Sequence, residues 1–224
     1  AAVSGSMTME GYPQNAFWAF RFTGLNPENG GPMIDLSGME QEGSEDNPTL
    51  YMEYQGQNDP TSNIGLNMVF RYKSFSLPIS IYYVHGGKRF LPNPYLSGQF
   101  TKMPSEYKNV STELSERWRK PGDEKHTNIP GIPVRGAVDP LALITSNGAV
   151  TSIPVYQAWG YSNARVVDMW YIRFNDFQLS YDLPERWIRG FASSVRISAY
   201  ASNPLQIKSK DFKGRDPEVA MGSQ

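Results

Sequence analysis

Between Ile64 and Val84 the chain alternates in polarity at every second residue, twice in succession, and nothing else in the sequence restricts its fold as strongly. Leu66, Met68, Phe70 and Tyr72 fall on one side of the first run, with Gly65, Asn67, Val69 and Arg71 on the other. After Lys73-Ser74 the pattern restarts: Phe75, Leu77, Ile79, Ile81 and Tyr83 oppose Ser76, Pro78, Ser80, Tyr82 and Val84. Successive side chains of a strand point to opposite faces, so each run predicts a strand with one apolar face. The short break between them predicts a hairpin.

Weaker signals of the same kind flank this pair. Strands are expected near residues 15–23, 49–55, 63–73, 75–85, 168–183 and 193–205. In the fifth of these the apolar phase changes, from Trp170, Ile172 and Phe174 to Phe177, Leu179 and Tyr181. A one-residue shift of this type predicts a β-bulge at Asn175-Asp176. Aromatic residues are 13% of the chain, and 20 Gly and 17 Pro interrupt it, as expected for many short strands joined by turns.

Residues 86–167 are different in character. They carry Pro92, Pro94, Pro104, Pro121, Pro130, Pro133, Pro140 and Pro154 and predict a long loop. Two short helices are expected within it, one over 111–118 behind Ser111 and one over 139–144 with Asp139 as N-cap and Pro140 in the first turn. Loops longer than about 12–15 residues are unusual inside a compact soluble domain. They are normal on the outer side of outer-membrane barrels.

Several functions are disfavoured by composition. With 21 Lys plus Arg against 22 Asp plus Glu, and no basic stripe, no nucleic-acid partner is expected. The absence of cysteine removes disulfides, thiolate zinc sites and cysteine nucleophiles. No apolar run approaches the roughly 20 residues of a membrane helix. The first residues, Ala1 to Ser6, lack the pattern of a signal peptide, so the chain is expected to be processed or to begin within a longer protein.

No arrangement of catalytic or metal-ligating residues is evident, and no cofactor or metal is expected. His85 and His126 lie in no triad-like or metal-binding spacing and read as strand-end and loop residues. Gly86-Gly87-Lys88-Arg89 lacks the spacing of a phosphate loop and reads as a hairpin turn. Glu45/Asp46 and Asp123/Glu124 read as solvated loop acids. Asn109-Val110-Ser111 fits a glycosylation sequon and is read as chance. Tyr107, Trp118, Tyr156, Trp159 and Tyr161 in the long loop have two readings: stacking on a substrate or partner, and loop packing or interface girdle. Trp187, between Arg186 and Arg189, reads as a membrane-interface anchor.

Several segments, in order, resemble C-terminal segments of SusC/RagA-like TonB-dependent outer-membrane transporters. They are Gly11-Tyr12-Pro13 with Phe20 to Gly30, then Ser62 to Asn67 with Phe70 to Phe75, then Arg117-Trp118 with Pro121-Gly122-Asp123 and Thr127 to Pro130. Tyr171 to Pro184 and Phe212 to Glu218 complete the series. The resemblance implies an all-β fold: antiparallel strands of a partial transmembrane β-barrel, with long extracellular loops and one or two short loop helices. It implies residence in a bacterial outer membrane and energy-dependent import of oligosaccharides or peptides. The implied partners are a SusD-like surface lipoprotein, the TonB complex acting through an N-terminal plug outside this sequence, and outer-membrane lipid. It further implies a closing strand beyond Gln224, so residues 1–224 are expected to be the C-terminal part of such a barrel, with 87–167 at the extracellular mouth. The rival expectation is a soluble β-sandwich or β-sheet carbohydrate-binding module.

Overall fold

A computed structural model describes residues 6–40, 47–97, 100–101, 110–132, 141–146, 149–213 and 215–218. The chain is nearly all β, with the strands β1 (Ser6–Met7), β2 (Ala16–Leu25), β3 (Pro32–Asp35), β4 (Met52–Gln57), β5 (Ser62–Tyr72) and β6 (Phe75–Phe90) in its first half. There follow β7 (Leu96–Ser97), β8 (Phe100–Thr101), β9 (Leu141–Ser146), β10 (Ala149–Pro154), α1 (Val155–Gly160), β11 (Val166–Asp182), α2 (Glu185–Ile188) and β12 (Arg196–Lys208). The contacts divide the chain into two compact units. One holds Ala1–Asp59, Lys88–Val167 and Val219–Gln224; the other holds Pro60–Gly87 and Asp168–Glu218.

In the first unit β2 is the centre of a small sheet, pairing with β1, β3 and β4. Ala16 to Phe20 are buried on both faces of the strand. Trp18 and Phe20 pack with Met39, Tyr51, Met52 and Ala158, while Phe17 and Ala19 pack against Phe90. This burial explains why the segment reads as aromatic and apolar throughout rather than alternating; each large apolar side chain so enclosed contributes about 1.5–3 kcal/mol. A second cluster joins Tyr95, Leu114, Ile129, Tyr156 and Trp159.

In the second unit the strand order is β12-β11-β6-β5. β5 and β6 pair antiparallel without interruption, from Ser62 opposite His85 to Tyr72 opposite Phe75, across Lys73-Ser74. Lys73 takes φ 53°, the left-handed conformation a two-residue hairpin requires. β11 and β12 are likewise antiparallel. β6 and β11 also run in opposite senses: the Phe75 and Tyr181 rings meet tilted at 4.5 Å and Tyr82 lies near Tyr171 at 6.5 Å.

Three expectations are corrected and one is met. Asp139 and Pro140 lie outside the described residues, and the rest of the expected helix, from Leu141 onward, is β9, paired with β10 from Leu141 opposite Pro154 to Ser146 opposite Ala149. Pairing with the β-branched Val150, Thr151 and Ile153 overrides the local cap signal. The short helix expected over 111–118 is present as a 3-10 helix, Thr112–Glu116, and the Ser111 hydroxyl caps it by accepting from the Glu113 amide at 3.4 Å. Gly86-Gly87 is not a hairpin turn, because β6 continues through it to Phe90 with φ of 83° and 84° at the two glycines. The long stretch 86–167 is not without strands, since it holds β7 to β10 as well as α1.

The phase change in β11 coincides with a register shift. Phe174 pairs with Leu205 and Asp176 with Ser202, so the single residue Asn175 faces both Asn203 and Pro204. The extra residue therefore belongs to β12, where Asn203 has φ 49°.

Candidate functional site

The registers place apolar side chains together on one face of the four-stranded sheet. Ile64 faces Tyr83, Leu66 faces Ile81, Met68 faces Ile79, Phe70 faces Leu77 and Tyr72 faces Phe75. On the other hairpin Ile172 faces Ile207, Phe174 faces Leu205, Phe177 faces Ala201, Leu179 faces Ala199 and Tyr181 faces Ile197. The Phe75–Tyr181 contact joins the two series across β6 and β11. Ile64, Leu66, Phe70, Ile197 and Leu205 are between 48% and 60% exposed. A continuous apolar surface of this kind is rare on a soluble monomer and marks a face that meets lipid or another protein.

The opposite face is mainly polar. Ser80 donates to Asn67 at 2.7 Å, and the Ser180 and Ser198 hydroxyls lie 2.9 Å apart. The segment after β12 returns to this face. The Arg173 guanidinium holds both Asp216 oxygens at 2.9 Å and Glu218 at 2.7 Å, and Tyr171 donates its hydroxyl to Glu218. Burial would raise the Asp216 carboxyl, but the Glu218 amide, Gln206 and Arg173 outweigh it and hold the group below its ordinary value.

The ends of the sheet differ as well. At one end both connections are local: Lys73-Ser74 joins β5 to β6, and residues 183–195, with α2, join β11 to β12. The Asp182 amide donates to the Ser74 carbonyl at 2.9 Å, tying the two connections together. At the other end the chain leaves β6 after Phe90 and returns at Val166.

The aromatic residues singled out in the long loop lie mostly inside the first unit. Trp159 is wholly buried and Tyr156 is 5% exposed. Trp159 Nε1 donates to the Asn128 carbonyl at 3.1 Å, and the Tyr156 hydroxyl donates to the Gly131 carbonyl at 2.8 Å. Both side chains thus hold the loop together, and neither presents a free ring for stacking. Trp118 and Tyr161 are half-buried. Trp118 Nε1 donates to Glu124 at 3.3 Å, and the Tyr161 ring meets Phe90 edge-on at 5.4 Å. Tyr107, Glu45, Asp46 and Asn109 lie outside the described residues. Trp187 is 58% exposed on α2, with the Arg186 guanidinium 5.9 Å from its ring centre.

Other candidate groups serve local structure. Asp123 accepts from the Arg119 and Lys120 amides, and Glu124 accepts from the Gly122 amide at 2.7 Å. Backbone hydrogen bonds hold the Glu124 carboxyl below its usual range. His85 is exposed beside Tyr83, and His126 ends the turn Asp123–Lys125. Among the described residues no group of three or more acidic or histidine side chains could hold a metal.

Sequence reasoning missed the strongest polar feature of the loop. Arg165 and Glu113 form a buried ion pair at 2.7 Å, with side chains 2% and 0% exposed. Arg165 also donates to the Pro92 carbonyl at 2.6 Å and lies 4.7 Å above the Trp159 ring. The neighbouring Tyr95 hydroxyl donates to the Pro130 carbonyl at 2.5 Å, and burial pushes it well above the ordinary phenol value.

No family model matches the sequence, and no curated protein matches it. Solved structures do. The chain is similar to a chain of the RagAB peptide transporter at 18% identity, covering 97% of this chain and 21% of that one with a TM-score of 0.59. It is similar also to the RagAB peptide importer in its closed-closed state, at 19% identity, 97% and 22% coverage and a TM-score of 0.59. The open-open state gives 18% identity, 97% and 21% coverage and the same TM-score. The chain thus spans about a fifth of the length of the solved chains it matches. At this identity the likeness is one of fold: these residues fold like one stretch of a transporter chain, and the described sheets do not close on themselves.

Proposed function

We propose that these residues form part of the wall and mouth of an outer-membrane, TonB-dependent transporter of the SusC/RagA type. Such a protein imports oligosaccharides or peptides together with a SusD-like lipoprotein. The observation that carries this reading is the two-faced sheet, apolar on one side and polar on the other, as lipid outside and an aqueous lumen inside require. The rungs from Ile64 to Tyr72 extend about 27 Å along the strand at 3.4 Å per residue. Tilted by about 40°, they cover about 20 Å of depth, comparable with the roughly 25 Å apolar band of outer-membrane barrels.

The end with the local connections corresponds to the periplasmic side and the long excursion to the outside. Tyr72, Phe75 and Tyr181 lie near the first rim, with Trp187 as interface anchor beyond them; Tyr83 and Trp170 lie near the other. Residues 87–167 belong to the extracellular mouth and the lipoprotein interface, with Tyr107, Trp118 and Tyr161 as the aromatic contacts to test. The fold likeness to peptide transporter chains makes peptides the first substrate class to assay. Catalysis is no part of this reading.

Extraction tests it. The full natural protein is expected in the detergent phase, from a reading frame that supplies a plug and further strands. Recovery in buffer without detergent, from a frame lacking them, refutes the reading and leaves the soluble carbohydrate-binding module.

A further inference from the structure

We propose that the short-connection end of the four-stranded sheet binds the headgroups of anionic phospholipids. This rests on the wall reading above and adds a partner that the apolar face by itself does not specify. α2 is pinned by Ile188, which is 2% exposed, and the turn is closed by the Arg189 amide donating to the Glu185 carbonyl at 3.0 Å. That geometry turns Trp187 and Phe191 outward, 58% and 74% exposed. Two large aromatics displayed on a short connector have no core to serve and fit the boundary between acyl chains and headgroups.

The charge around them is one-sided. Arg186 and Arg189 are exposed on the connector, and Lys73 is exposed at the adjoining turn, its ammonium 5.3 Å from the Tyr72 ring centre. Among the described residues none of these three cations has a carboxylate within ion-pairing distance. The nearby Asp182 is taken by Arg196, at 2.6 and 3.1 Å, which leaves Glu185 as the connector's unpaired acid. A net positive rim with aromatic wedges beside it complements a phosphate-bearing surface, each cation near an anionic bilayer adding about 1 kcal/mol, or about fivefold in affinity. Guanidinium groups also fork onto phosphate oxygens, which a zwitterionic headgroup offers without net charge.

The test uses the full natural protein in detergent, with lipid added and the bound species counted by native mass spectrometry. Dioleoyl phosphatidylglycerol is expected to bind more tightly than dioleoyl phosphatidylcholine. Arg186→Gln with Arg189→Gln should weaken phosphatidylglycerol about 25-fold and phosphatidylcholine, which offers the phosphate oxygens without net charge, several-fold less, and Arg186→Lys with Arg189→Lys should restore most of the loss. Both pairs sit on exposed positions, so detergent partitioning and unfolding temperature should match the parent. Equal binding of the two lipids, or an unchanged affinity in the Gln pair, overturns the proposal while leaving the wall reading intact. Binding of soluble glycerophosphate as tightly as the lipid also overturns it, because the site then reads a free phosphate. Failure of the parent protein to enter detergent overturns the wall reading itself.

Discussion

Replacing Glu113 by Ala should open the loop that Arg165 holds. The pair is inaccessible to solvent, with side chains 2% and 0% exposed, so the guanidinium left behind has no water to replace its partner. At an effective dielectric of about 20, charges roughly 4 Å apart attract by about 4 kcal/mol. Truncating one member of a buried pair costs about 3–5 kcal/mol. Arg165 keeps the Pro92 carbonyl and the Trp159 ring face, which places Glu113→Ala near the lower end, about 3 kcal/mol. Hydrogen exchange in the full natural protein gives the readout. The Leu91 amide donates to the Arg165 carbonyl at 2.8 Å, so it should exchange roughly 150-fold faster. The apolar double replacement Glu113→Leu with Arg165→Met should recover most of the loss, since such pairs are often neutral against hydrophobic substitutes. If each single change costs less than about 0.5 kcal/mol and the two add without coupling, the buried pair is not what holds the loop, and the reasoning fails.

Gly86→Ala should destabilise the second unit by more than about 2 kcal/mol in denaturant titrations. An added Cβ would lie 2.1 Å from Thr61 Oγ1 and 2.9 Å from its backbone nitrogen, at a φ of 83°. Met68→Arg, in the middle of the apolar rungs, should cost about 2–4 kcal/mol when the protein is unfolded from a bilayer, whereas Asn67→Arg on the other face should cost much less; equal costs would deny that the faces differ in environment. Because the folded Asp216 carboxyl is held below its ordinary value, its contribution is complete above about pH 4 and is lost as pH falls through the lowered value. A nitroxide at the exposed Lys210 should therefore gain mobility in strong acid, and Asp216→Asn should show that mobility already at neutral pH.

Some of this architecture could be read directly from the residues and some could not. β5 and β6 were legible because each lies with one face apolar and the other mainly polar, so the period of two survives in the sequence. The break in β11 was legible for the same reason, although the strand with the extra residue could only be found from its partner, at Asn203-Pro204. Asp139-Pro140 carried a helix signal that lost to the pairing of β9 with β10, a contact no local pattern reports. Gly86-Gly87 carries a turn signal, yet its purpose is close approach to Thr61, a residue 25 positions earlier in the sequence. Glu113 and Arg165 are separated by 52 residues, and neither has a local signature that suggests burial. Trp159 and Tyr156 could stack on a ligand or pack within their own loop; in the structure they donate to the loop carbonyls of Asn128 and Gly131, partners that no local pattern in the sequence reports.

On the wall reading proposed above, the uninterrupted pairing from Ile64 to Tyr72 bears on which membrane would suit the protein. A ladder of fixed length sets a fixed apolar height, about 20 Å at the tilt of a barrel wall, and a paired strand cannot lengthen to suit its surroundings. A bilayer with a hydrocarbon core of about 30 Å would have to thin around it, at a fraction of a kcal/mol for each ångström of mismatch. Summed around a rim, that cost sorts a wall of this kind toward thin membranes and draws short-chain lipids to its side.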